Sequence, residues 1–99
     1  MTNELLSLIV GYIACGHAAE ERLLSPPEVQ YCSAIYQEIK LGFVPGVDVR
    51  TYFQMPPEDQ QMINKAGFTA FYQWRQDNPG TVSFLERVAR GEVQLGEAS

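Results

Sequence analysis

The sequence predicts an all-α single domain of four to five helices, and three observations carry that prediction. Ser25-Pro26-Pro27-Glu28 is a helix-starting box, in which the Ser25 hydroxyl accepts from the Glu28 amide and the Glu28 carboxylate reaches back to the Ser25 amide. A second start of the same chemistry stands at Pro56-Pro57-Glu58-Asp59, with proline in the first turn and acids at the positive end of the helix dipole. Behind each start the apolar residues recur at steps of three and four, the period of a helix and not of a strand.

The first helix is expected near residues 3–23, capped by Thr2 or Asn3. Leu5, Leu6, Leu8, Ile9, Val10, Tyr12 and Ile13 make its first half apolar nearly all round, so it is either central to the fold or shared between two subunits. Leu5, Ile9 and Tyr12 are the residues that a shared helix would use for self-association. Gly11, Cys15, Ala18 and Ala19 fall on one side at helical spacing, where another backbone can approach closely, and Gly16 is a site for a kink.

The second helix is expected over 26–41, with Val29, Cys32, Ile35, Tyr36 and Ile39 facing inward and Lys40 and Gly42 marking its end. Phe43-Val44-Pro45-Gly46 reads as a type II turn, since proline and glycine suit its two central positions. Residues 47–53 contain β-formers, yet Asp48 is a good N-cap and a lone strand lacks a partner beyond Val93-Gln94-Leu95. A short helix near 49–54 is therefore preferred.

The long helix is expected over 57–77, with Met62, Ile63, Ala66, Ala70, Phe71 and Trp74 as its buried stripe and Gly67 as a kink or break. Asn78-Pro79-Gly80 ends it, and Thr81 is expected to cap a last helix over 81–90 that turns Val82, Leu85, Val88 and Ala89 inward. The domain thus covers residues 1–91, and 92–99 reads as a mobile tail. The shared Pro-Pro-Glu-x-Gln at 26–30 and 56–60 is two uses of one helix-start chemistry, because the flanking residues do not match.

The 99 residues are 45% hydrophobic and 19% charged, enough apolar surface for one packed core. The formal net charge is −5, and no clustered run of Lys and Arg supplies a phosphate-binding surface, which disfavours direct nucleic-acid binding. Twelve acids spread along the chain are also too dilute for a nucleic-acid mimic. The apolar run from Leu5 to Cys15 falls short of the roughly 20 residues needed to cross a bilayer. No basic stretch opens the sequence, and Gly16-His17 does not resemble a signal cleavage site. Cys15 and Cys32 are accordingly expected as reduced, buried thiols of a cytoplasmic protein, with an intramolecular disulfide as the alternative.

Cys15, His17 and Cys32 lack the paired spacing and ligand number of a zinc site, and residues 15 and 17 of one helix point about 200° apart. No metal and no cofactor is expected. Glu20-Glu21 and Glu58-Asp59 read as solvated or dipole-facing acids rather than an acid–base pair. The aromatic residues are more informative, because Phe68, Phe71, Tyr72 and Trp74 occupy more than one face of the long helix. Some must reach the surface, and Tyr72 and Arg75 are of the types that dominate binding hot spots.

The preferred function is therefore a non-enzymatic protein-binding module, a small inhibitor or adaptor that covers a partner's surface through Tyr72, Arg75, Glu58 and Asp59. The alternatives are a ligand-binding protein or enzyme with a pocket near Tyr12, His17, Tyr36 and Trp74, and a structural subunit of a homo-oligomer such as a homodimer. The short, acidic, helical character is similar in composition to bacteriocin immunity proteins and phage-encoded inhibitors of host systems, and no motif matches either group residue by residue.

Overall fold

Thr2 caps the first helix, its hydroxyl accepting from the Leu5 amide at 3.1 Å. The computed structural model describes residues 2–98, and they form an all-α fold: α1 (Asn3–Glu21), α2 (Pro26–Gly42), α3 (Val49–Phe53), α4 (Pro57–Asp77) and α5 (Pro79–Ala89), followed by a 3-10 turn at Leu95–Ala98. No strand occurs among the described residues. The stretch 47–53 carries a short helix over Val49–Phe53 and no strand, as expected, with the Asp48 side chain capping it by accepting from the Thr51 amide at 2.7 Å.

α1 ends at Glu21, two residues before its expected end. Arg22 leaves the helix in an extended conformation and sends its guanidinium to the Glu28 carboxylate, with two parallel hydrogen bonds. Glu28 also accepts from the Ser25 amide at 2.9 Å, while the Ser25 hydroxyl accepts from the Glu28 amide at 3.4 Å. One carboxylate therefore ties the end of α1 to the start of α2. These bonds, led by the one from Arg22, hold the Glu28 carboxyl down to about 2.

The expected turn is present one residue later, over 44–47, with Pro45 and Gly46 at its centre, Gly46 at φ 79° and the Val47 amide donating to the Val44 carbonyl at 3.4 Å. L residues disfavour that φ, which explains glycine there. α5 starts at Pro79 and not after Thr81. Proline fits the first helical position because its missing N–H has no partner there in any case, so a single residue, Asn78, separates α4 from α5. The Asn78 side chain donates to the Trp74 carbonyl at 2.8 Å and satisfies one of the free acceptors that end α4.

Four helices close a ring in which α1 packs on α2, α2 on α4, α4 on α5 and α5 on α1, with α3 set against α4. Ile9, Ile35, Ile39, Phe71 and Leu85 form the buried centre. Leu5, Leu6, Leu8, Val10, Tyr12 and Ile13 of α1 pack around it, which accounts for the all-round apolar character of that helix within one chain. Ile9 is only 2% exposed, so it belongs to this core and offers no surface to a second subunit. Leu95 packs against the same core from the segment expected to be a mobile tail.

α1 and α4 run unbroken through Gly16 and Gly67, so the break expected as one option at Gly67 does not occur. Gly67 is buried where α4 crosses α2, and a Cβ there would fall 2.8 Å from the Lys40 carbonyl carbon. On the other side of α2, a Cβ at Gly11 would meet Ile35 at 3.2 Å. The small residues of α1 and α4 are thus the places where α2 comes close. Beside this crossing, Gln37 donates to Asn64 at 2.9 Å and Asn64 donates to the Tyr52 hydroxyl at 2.7 Å, which ties α2, α4 and α3 together.

Candidate functional site

The ring of helices leaves a groove of about 530 Å³ at one end, to which α1, α2, α4 and α5 all contribute. α1 supplies Ile9, Tyr12, Ile13 and Cys15; α2 supplies Val29, Cys32, Ser33 and Tyr36; α4 supplies Phe71, Trp74 and Arg75; α5 supplies Val82 and Glu86. A hollow of this size, mostly apolar with a few polar groups, has the character of a small-molecule or side-chain binding site.

Its wall is an aromatic cluster. The Tyr12 and Tyr36 rings stack with centroids 5.1 Å apart, Phe71 meets Tyr12 edge-on at 5.7 Å, and Trp74 lies 6.3 Å from Phe71. These separations are those at which aromatic pairs attract beyond simple burial. The Arg75 guanidinium sits over the Phe71 ring, 5.5 Å from its centroid, and Lys40 Nζ sits 4.8 Å from the centre of the Tyr36 ring. Burial raises the Tyr36 pKa, the Tyr12 phenol adds to the rise, and the Arg75 charge opposes it. Burial likewise lowers the pKa of Lys40.

The groove is pinned by a disulfide between Cys15 of α1 and Cys32 of α2, with Cα atoms 6.0 Å apart. This overturns the expectation of two reduced thiols. The Gly11 side of α1 lets α2 approach, and one turn further on Cys15 then faces Cys32 directly. Both sulfurs are consumed, and among the described residues no three His, Cys, Asp or Glu side chains are grouped as metal ligands would be.

Of the four residues expected around a pocket, Tyr12, Tyr36 and Trp74 do line the groove and His17 does not. His17 follows Cys15 by two residues, about 200° around α1, and Cys15 faces the groove. Val82 and Glu86 were missed as lining residues, although their four-residue spacing on an inward stripe of α5 was the available signal.

The surface residues form a separate feature. Phe68 and Tyr72 stack on α4 with centroids 6.4 Å apart, and they are 52% and 53% exposed. Arg75 follows one turn later on the same stripe, so the exposed ridge runs into the mouth of the groove. Glu58 and Asp59 are exposed in the first turn of α4, some 14 residues or about 20 Å along the axis from Tyr72. The structure brings Tyr72 and Arg75 together and leaves the two acids at the far end of the helix.

No family model, no curated protein and no solved structure matches this chain. Among the described residues, no helix is long and apolar enough to cross a membrane.

Proposed function

We propose that this chain is a non-enzymatic protein-binding module that docks another protein on the ridge of α4 formed by Phe68, Tyr72 and Arg75. The stacked, half-exposed Phe68–Tyr72 pair carries the reading. Two large rings on one face of a 21-residue helix present apolar area at little conformational cost, because each ring already restrains the other. Arg75, laid on Phe71, adds a charged group of the type enriched at hot spots. An inhibitor or adaptor that covers a partner's surface is the role such a ridge suits. The cytoplasmic location expected from the sequence rested on the lack of a signal-like opening, with reduced thiols as its corollary, and the Cys15–Cys32 disulfide favours an oxidising compartment instead.

The test is affinity for the partner in Tyr72→Ala and Arg75→Ala. Each is expected to cost about 2 kcal/mol, roughly thirtyfold in affinity, with the fold intact by circular dichroism. Wild-type affinity in both variants would place the site elsewhere, and the acidic surface of residues 20–28 would be the next to scan.

A further inference from the structure

The groove holds an arrangement that shares Arg75 with the α4 ridge and otherwise uses different residues. Neither the Tyr12 nor the Tyr36 hydroxyl makes a hydrogen bond to any described residue, and the Arg75 guanidinium has no carboxylate partner among them. The two phenols sit side by side on stacked rings, and Arg75 flanks them across Phe71, which touches both. Tyr36 lies within electrostatic reach of both Tyr12 and Arg75. Three donors are therefore carried by one aromatic cluster in a mostly apolar hollow. Glu86, the other charged residue of the groove, does not pair with Arg75, and its charge acts on Arg90 one turn along α5.

We infer that the groove is a binding site for a small apolar monocarboxylate. The carboxylate accepts from Arg75 and from the Tyr12 and Tyr36 hydroxyls, and the hydrocarbon body lies against Phe71, Trp74 and the disulfide wall. Charge selects the ligand, since the Arg75 guanidinium, laid over the Phe71 ring at the mouth of the groove, makes a stronger hydrogen bond to an anion than to a neutral polar group. Volume sets its size, because about 530 Å³ accommodates a medium-chain or single-ring acid and leaves room for water.

Octanoate and octan-1-ol test this inference on the purified, disulfide-intact chain with no partner present, so its outcome is independent of the ridge reading. Trp74 is the only tryptophan of the chain and lines the groove, so its fluorescence reports occupancy, with calorimetry as a second readout. Octanoate is expected to bind saturably at one site and at least about tenfold more tightly than octan-1-ol, the difference a charge-assisted hydrogen bond supplies. Arg75→Gln and Tyr36→Phe should each lower octanoate affinity by a larger factor than octan-1-ol affinity, with thermal melts showing both variants folded. Equal affinity for acid and alcohol would overturn the proposal. So would the absence of saturable octanoate binding, or wild-type octanoate affinity in a folded Arg75→Gln variant.

Discussion

Gly67 of α4 lies against the main-chain carbonyl of Lys40 on α2, close enough that a Cβ would stand 2.8 Å from the carbonyl carbon. Backbone cannot step aside as a flexible side chain can, so the crossing of α2 and α4 depends on the missing methyl group. Gly67→Ala should destabilise the fold by about 1–3 kcal/mol, as overpacking does. Gly16→Ala, with nothing within 4 Å of the added carbon, should stabilise α1 by about 0.5–1 kcal/mol. Thermal melts of the two variants should shift in opposite directions, and a stable Gly67→Ala would show that the helices do not cross so closely.

The disulfide closes a loop of sequence separation 17 between α1 and α2. Its loss in Cys15→Ser or Cys32→Ser, or under reductant, should cost about 3 kcal/mol. Urea unfolding with and without reductant measures this, and non-reduced peptide mapping should recover the two cysteines in one linked product. Identical unfolding midpoints would mean the bridge does not form.

Glu28 gives the fold a predictable acid response. Its carboxyl falls from an ordinary 4.5 to about 2 in the folded chain, so the folded state favours the ionised form. That contribution is complete above the unfolded value and is lost as pH falls from about 5 through 2. Glu28→Gln can still cap the helix but cannot titrate, and its thermal midpoint should fall less steeply than that of wild type over this window. Parallel curves would remove Glu28 from the acid response.

Ile9→Asp places a charge in the centre of the core, where Ile9 is 2% exposed. The chain should lose its helical circular dichroism, because an unpaired buried carboxylate costs more than a small domain can supply. A folded Ile9→Asp monomer derived from a wild-type dimer, seen by sedimentation, would instead place Ile9 at a subunit contact.

Much of this fold was legible because its signals are local. The Ser25–Glu28 box, the prolines opening α4, the Asp48 cap and the Pro45-Gly46 turn each act within four residues, and each appears where the sequence puts it. What was not legible depends on how helices cross. Gly67 as a kink and Gly67 as a contact look alike in sequence, and only the proximity of Lys40 separates them. Cys15 and Cys32 could be paired only once α2 was known to lie along the Gly11 side of α1. The groove was partly readable, since aromatic residues on three helices had to meet somewhere. His17 was included for its chemistry, although helical geometry turns it away from Cys15 and hence from the groove.

Site-specific photocrosslinking tests the central claim most directly, with p-benzoylphenylalanine placed at position 72 on the α4 ridge and, as a comparison, at the exposed position 83 of α5. Illumination in the source cells should give one covalent product from position 72, containing this chain and a single partner protein identified by mass spectrometry, and no matching product from position 83. An α4 ridge that yields no adduct at position 72, or yields the same adducts as position 83, would contradict a docking surface built on Phe68, Tyr72 and Arg75.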